Sequence, residues 1–390
     1  RRQRQMCIRD RTLDHAKDFI TLAVKELCEM LSVLACDAGD KRARHCASLC
    51  RGQVFAEARV ALPSDFVSNP RSSNGVAVLA GGVGAARFLK ALLTTEPAEN
   101  VTAIVNTGDD TELHGLKISP DIDTVIYTVA GAIDPERGWG LRNETWAAMG
   151  SLARFGSVKP ADSHAAPTWF NLGDNDLATH FYRTARLAEG ATLTDVTAEI
   201  AHAWNLGIKV LPMTNHRVRT RVRLRDSGDL ISFQEYFVKH RHSVAVSEVV
   251  FEGAQEATFA CNDVLRDARA VVIAPSNPIV SIGPIRALEG VDNLLAARRE
   301  SVVAISPIIG GAALKGPADR MLTELGMESS VVGVARLYAP ICGTLVIDYA
   351  DETLADAVRA EGMNCVVTAT IMGDPATDAA LTRITLEATT

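Results

Sequence analysis

Two groups of residues in this sequence could do chemistry together. One is a glycine-rich turn, Gly81-Gly82-Val83-Gly84, followed by Arg87. The other is a set of four carboxylates, Asp109, Asp110, Asp121 and Asp123, within 15 positions. Glycines let backbone N–H groups approach a phosphate, and a helix that starts beside them adds its dipole. A guanidinium one turn into that helix can make bidentate contacts to a diphosphate. Clustered aspartates suit Mg2+, which usually takes one or two carboxylates plus substrate phosphates and waters. Transfer of a phosphoryl group needs such an ion to neutralise charge on the leaving side. The expectation is a nucleotide diphosphate with a magnesium ion. Each signal is weak by itself. The fingerprint G-x-G-x-x-G breaks at Arg87, and a tight turn with no ligand would look the same. Asp121 and Asp123 follow Pro120 and precede a helical run, where they could simply cap a helix.

These residues need a strand, a turn and a helix to hold them. Val76 to Ala80 is a short apolar run fit for a buried parallel strand, and Ala85 onward is a helix with Phe88, Leu89, Leu92 and Leu93 on its apolar side. VTAIV (101–105) is a second strand, which puts Asp109 and Asp110 at the carboxyl edge where open α/β sheets bind ligands. AVVIAPSNP (270–278) and VVAISPIIGG (302–311) repeat the design, so Ser276, Asn277, Ser306 and Gly310 follow strand ends. Trp139, Trp146 and Trp169 bracket the stretch after the acidic loop. Trp146 reads as packing, while Trp139, between Gly138 and Gly140, could line a pocket for a flat ring. Arg217, Arg219, Arg221, Arg223 and Arg225 alternate along one face of a strand, with Val218, Val222 and Leu224 on the other. That face reads first as solvated, and second as an attractor for an anionic donor. His240 and His242, beside Lys239 and Arg241, suit a solvated stretch better than a metal site.

Composition narrows the class. The chain has 390 residues, 47% of them hydrophobic and 22% charged, with a formal net charge of −7. That is enough to bury a substantial core and argues against broad disorder. Overall acidity counts against a nucleic-acid partner, and no apolar run is long enough to span a membrane. A cytoplasmic enzyme fits best. The first 75 residues differ from the rest, with 13 Lys and Arg against 9 Asp and Glu and five of the eight cysteines. The chain as written starts at Arg1, with its first methionine at Met6, so RRQRQMCIRDR reads as a tag, a read-through or a truncated upstream region. Ile20, Val24, Leu27, Leu31 and Leu34 predict one amphipathic helix. His45, Cys46 and Cys50 lack zinc-site spacing. Residues 63–75 have linker composition, so residues 1–74 form an extension that could be foreign to the fold, and the folded domain begins at about Gly75.

Seven ordered blocks then carry a family resemblance: GGVGAARFL (81–89), VNTGDD (105–110), SPDIDTVIYT (119–128), DPERGWGLRNETW (134–146), NLGDNDLATH (171–180), APSNPIVSIGPI (274–285) and ISPIIGGAALKGP (305–317). Together they resemble the 2-phospho-L-lactate transferase family of coenzyme F420 biosynthesis, over residues 75–390. The resemblance implies an α/β fold with a Rossmann-like, mostly parallel core, a helical insertion at about 135–205, and a homodimer. It implies a donor that is a guanosine diphosphate ester of lactate or a related three-carbon acid. The acceptor would be the deazaflavin Fo, whose terminal hydroxyl attacks the distal phosphorus and releases GMP. Position by position, Asp109 and Asp121 match the metal-binding aspartates that serve catalysis. Asp123 and Asn171 match acceptor contacts, with Asn171 standing where other members carry a basic residue, and Trp139 joins them as a pocket wall. Gly81, Gly82, Gly84, Arg87, Ser276, Asn277, Ser306, Gly310 and Lys315 fall on the donor-nucleotide side.

Two rivals differ in class. Related gluconeogenesis-factor-like proteins are non-catalytic regulators that bind a sugar nucleotide, but carry a DDGGSSG-type run where this chain has Asp109-Asp110 followed by TELHG. A sugar nucleotidyltransferase would explain the glycine turn and leave NLGDNDLATH and PSNPIVSIGPI without a role. Within the family, GGVGAARFL and GWGLRNETW resemble the actinobacterial branch most, which favours an enolpyruvyl donor over a lactyl one.

Overall fold

The computed structural model describes residues 75–163 and 165–389. The amphipathic helix, the cysteines and most of the linker expected before Gly75 lie outside the described residues.

Fourteen strands run in chain order among the described residues: β1 Val76–Ala80, β2 Val101–Val105, β3 Thr111–Leu113, β4 Leu116–Ile118, β5 Lys209–Pro212, β6 Arg219–Leu224, β7 Leu230–Ser232, β8 Val246–Glu252, β9 Ala270–Ile273, β10 Val302–Ile305, β11 Ile308–Ile309, β12 Ala312–Ala313, β13 Thr344–Ile347 and β14 Asn364–Val367. Seven of them form one sheet in the order β14-β13-β10-β9-β1-β2-β5. All its pairings are parallel. The inner strands are short apolar runs buried on both faces, which only a sheet covered by helices on each side allows. Alternate residues feed two cores: Leu79, Ile104 and Ile273 point to one face, and Val78, Ala103 and Val272 to the other.

From β1 the chain winds outward through β2 to β5, returns to the other side of β1 at β9, and continues through β10 to β14. The winding direction reverses between β1 and β9, so the carboxyl ends of those strands border the crevice where such sheets bind ligands. The fold is therefore α/β with a Rossmann-like, mostly parallel core, as the sequence predicts.

Two long excursions bring further residues to this crevice. Between β2 and β5 lie the β3–β4 hairpin, α1 Pro120–Val129, α2 Ala147–Gly156, α3 Asp176–Ala188 and α4 Leu193–Ala203. Between β5 and β9 lies a small antiparallel sheet, β7-β6-β8. The helix after β1 begins at Gly82 and runs to Leu92, three residues earlier than its apolar pattern suggests. Its glycines are thus in its first turn, with Gly82 at φ +70°, a conformation that costs glycine little.

Candidate active site

The turn after β1 is packed from behind. A Cβ at Gly84 would lie 2.2 Å from the Pro275 carbonyl oxygen, and one at Gly81 would lie 2.7 Å from Ser281 Cβ. Ser276 Oγ donates to the Gly81 carbonyl at 2.8 Å. The glycines at 81 and 84 are therefore required by the approach of the segment after β9, quite apart from any ligand. In front of the turn sits Asp121. Its Oδ2 accepts from Asn106 Nδ2 at 2.9 Å, and the carboxylate also takes the Gly82 N–H. The acidic side chain thus supplies the negative charge that a helix N-terminus favours.

Capping does not explain the acidic loop. α1 begins at Pro120 with Ser119 as its N-cap, and no side chain caps it. Ser119 Oγ instead donates to Asp110 Oδ2 at 2.8 Å. Asp121 turns to the glycine turn and Asp123 turns to α3.

Asp109 and Asp121 are both buried, at 6% and 8% exposure. Burial, then the charge of Asp121, holds the Asp109 carboxyl well above the usual carboxylate range. Burial raises Asp121 to about 6, against the opposing hydrogen bonds from Asn106 and Gly82. Asp110 is also raised well above its ordinary value, chiefly by burial. Around them, Thr107 Oγ1, Asp109 Oδ1, Asp110 Oδ1 and Thr220 Oγ1 are buried without a hydrogen-bond partner. Thr220 faces Asp109 closely enough to oppose its rise, but without hydrogen-bond geometry. All four orphaned atoms are oxygens, each costly to leave unsatisfied. A hard divalent cation takes oxygen ligands and offsets carboxylate repulsion, so Asp109 and Asp121 fit a magnesium ion.

Asp123 has a different partner. Arg183, fully buried on α3, grips both its oxygens: Nη1 donates to Oδ2 at 3.1 Å and Nη2 donates to Oδ1. Burial, opposed by Arg183, leaves the Asp123 carboxyl raised. His180 bridges onward, with Nδ1 3.8 Å from Asp123 and Nε2 3.4 Å from Asp176. Asp176 Oδ1 accepts from Tyr127 Oη at 2.6 Å. Asp123, Asp176 and His180 bring their ligand atoms within 4.8 Å of one another, a spacing that could hold a cation. Arg183 already occupies that place electrostatically, so we read the cluster as a charge and hydrogen-bond chain.

The other expected residues do different things. Asn277 Oδ1 accepts from the N–H groups of Ile279 and Val280, and Ser306 Oγ is tied to the Ile308 backbone, so these side chains shape their own turns. Gly310 N donates to Asp351 Oδ2 at 2.9 Å. Arg87 and Asn171 are exposed. Lys315, also exposed, reaches the DPERGWG turn: a Cβ at Gly138 would lie 3.0 Å from its Nζ and 3.4 Å from Val83. Trp139 is 46% exposed, and the Arg137 guanidinium lies 5.4 Å from its ring centre and 5.3 Å from that of Trp146. Gly138, the residue before Trp139, is thus the one that meets Val83 of the glycine turn and Lys315. In the arginine strip, Arg221, Arg223 and Arg225 bond to Leu230, Glu248 and Val246, which makes them part of the small sheet's rim. A cavity of about 650 Å3 opens elsewhere, between Ala132, Leu141, Thr179, Tyr182 and Trp204, and none of its lining belongs to the acidic pair. The orphaned oxygens locate the chemistry better than that volume does.

Sequence reasoning missed Asn106, Thr220, Arg183, His180, Asp176 and Tyr127. Asn106 lies inside VNTGDD, and Asp176 and His180 inside NLGDNDLATH, so their blocks were visible though their roles were not. Arg183 lies in no block, and only its burial on the inner face of α3 distinguishes it.

Comparison with known proteins gives the family. The family model for CofD, the 2-phospho-L-lactate transferase, matches residues 76–376. A phosphoenolpyruvate transferase of Kitasatospora aureofaciens is 41% identical over 318 residues, covering 80% of this chain and 96% of its own. One from Mycobacterium avium (strain 104) is 39% identical over 329 residues, covering 78% and 95%. A solved structure of a UPF0052-family protein from Bacillus halodurans aligns with a TM-score of 0.51 at 13% identity, over 80% of this chain and 98% of its own, a likeness of fold alone.

Proposed function

The chain belongs to the 2-phospho-L-lactate transferase CofD family, transferases of phospho-acid groups in coenzyme F420 biosynthesis; from that premise we propose its substrates and its chemistry. The donor is a guanosine diphosphate ester of a three-carbon acid, and the acceptor is the terminal hydroxyl of the deazaflavin Fo. The acid is enolpyruvate rather than lactate. Relatives named phosphoenolpyruvate transferases at 39–41% identity favour that choice. The protein works as a cytoplasmic homodimer without a nucleic-acid partner. Among the described residues no helix is long and apolar enough to cross a membrane.

The observation that carries the reading is the buried Asp109–Asp121 pair at the switch point, beside unsatisfied oxygens and a helix N-terminus. These two carboxylates would hold Mg2+, which when bound supplies counter-charge for the donor's phosphates and the departing GMP. The first-turn amides of the 82–92 helix, Arg87 and Lys315 bind the donor, with the segments after β9 and β10 around its guanosine. Trp139 offers its ring to the flat acceptor, and Asp123 and Asn171 bind the acceptor's polar groups. The Fo hydroxyl oxygen forms a bond to the distal phosphorus while the bond from that phosphorus to the GMP oxygen breaks. The hydroxyl proton passes to a carboxylate of the loop. Asp110 Oδ1 has no partner, whereas both Asp123 oxygens are held by Arg183. Positioning and charge neutralisation supply most of the rate in such a transfer.

The test incubates the protein with Mg2+, Fo and equal amounts of the enolpyruvyl and lactyl guanosine diphosphate esters, and reads product masses. The dehydro product should dominate, with GMP released in equal amount. A clear preference for the lactyl ester refutes the donor choice, and absence of any Fo adduct refutes the acceptor.

A further inference from the structure

We propose that Arg183 is a positioning residue for the acceptor: it sets the orientation in which the Asp123 carboxylate receives hydroxyl groups of a polyhydroxylated chain. This rests on the reading of Asp123 as an acceptor contact. The guanidinium fork meets the carboxylate with two donors on two oxygens. A carboxylate has about four lone-pair sites, and a bidentate fork uses two of them. The two that remain suit O–H donors, the groups that a ribityl chain presents in series.

The fork is itself held in place. Arg183 Nη1 lies 3.3 Å from His180 Nδ1 and 3.5 Å from the Lys117 carbonyl oxygen of β4. His180 approaches Asp176, and Asp176 is bonded to Tyr127. Tyr127 stands four residues after Asp123 on α1, so the chain of contacts leaves that helix through Asp123 and returns to it through Tyr127. Both ends therefore fall on one face of α1, and α3 pins its first two turns. Simple cementing would not call for charge here, since apolar packing does as well as a buried ion pair. Lysine would keep the charge and lose the fork.

The experiment compares the parent with Arg183→Lys and with Asp176→Asn, which loosens the fork's support without touching Asp123. For each, KM for Fo, KM for the guanosine diphosphate donor, kcat, magnesium half-saturation and melting temperature are measured. Direct Fo affinity is read by deazaflavin fluorescence. For Arg183→Lys the KM and Kd for Fo should rise roughly tenfold or more, the loss of one charge-assisted hydrogen bond. Donor KM and magnesium half-saturation should stay within about twofold. Asp176→Asn should shift the same two Fo values in the same direction by a smaller factor, and it carries the test if Arg183→Lys does not fold. Fo values within twofold of the parent in a folded variant overturn the proposal. So does an equal rise in donor and acceptor KM, which would mark Arg183 as structural. A parent that neither binds nor turns over Fo is a different result, and it removes the substrate reading on which the proposal stands.

Discussion

Replacing Asp121 by asparagine should make the metal-free protein more stable while removing its activity. Burial raises the Asp121 carboxyl from its ordinary 3.8 to about 6. Two units correspond to roughly 3 kcal/mol paid at neutral pH to keep this side chain ionised in the fold. Asparagine removes that cost. It can still accept one hydrogen bond but not both from Asn106 and Gly82, a loss of about 1 kcal/mol. The net gain is about 2 kcal/mol, or roughly 3–5 °C in melting temperature for a domain of this size. The sign with pH follows from the direction of the shift. A carboxyl whose folded value lies above its unfolded one destabilises the fold wherever it is ionised. The cost is full above about pH 6 and disappears as pH falls toward 4. The variant's advantage should therefore be largest at pH 7.5, vanish at about pH 4.5 and reverse below that, where only the lost hydrogen bond remains. Magnesium should raise the parent's melting temperature and leave that of the variant nearly unmoved. Turnover of the variant should fall at least about a hundredfold, since the ion's contribution to the transition state is several kcal/mol. The assay is a set of thermal melts at pH 7.5 and pH 4.5, with chelator and with magnesium, beside rate measurements. A variant less stable than the parent at pH 7.5 in chelator refutes the reasoning. So does a magnesium shift of equal size in both proteins.

Gly84→Ala would place a Cβ 2.2 Å from the Pro275 carbonyl oxygen, a backbone atom that cannot swing aside; it should cost roughly 3 kcal/mol or more, read as a large fall in melting temperature. Gly150→Ala, in the interior of α2 with open space around it, is its control and should stabilise by about 0.5–1 kcal/mol. Deleting residues 1–70 should leave melting temperature and transferase rate nearly unchanged, because the family match begins at residue 76; insoluble or inactive protein after the deletion would show that the extension packs on the domain or on a second subunit.

Much of this protein was legible in its sequence because parallel α/β folds write themselves locally. A strand buried on both faces must be a short apolar run, as in VAVLA and AVVI, and the turn after it must carry residues that bind or bend. Ordered blocks carry the family resemblance because they fall at element junctions: VNTGDD leaves the end of β2, and SPDIDTVIYT opens α1 after β4. The alternation of arginines from Arg217 to Arg225 likewise announced a strand with a polar and an apolar face; β6 has both faces but is shorter, holding Arg219, Arg221 and Arg223 and leaving Arg217 and Arg225 outside it. What the sequence could not decide was how each carboxylate is spent. Asp121 and Asp123 are two residues apart on one helix, and helical geometry turns them about 200° from each other. One faces the glycine turn and Asn106, the other faces Arg183, 60 residues further along the chain. Whether an aspartate is a cap, a metal ligand or half of a buried ion pair depends on which distant group meets it across the fold. Desolvation, the largest cause of the raised pKa of Asp109, Asp121 and Asp123, exists only once the helices have closed over them.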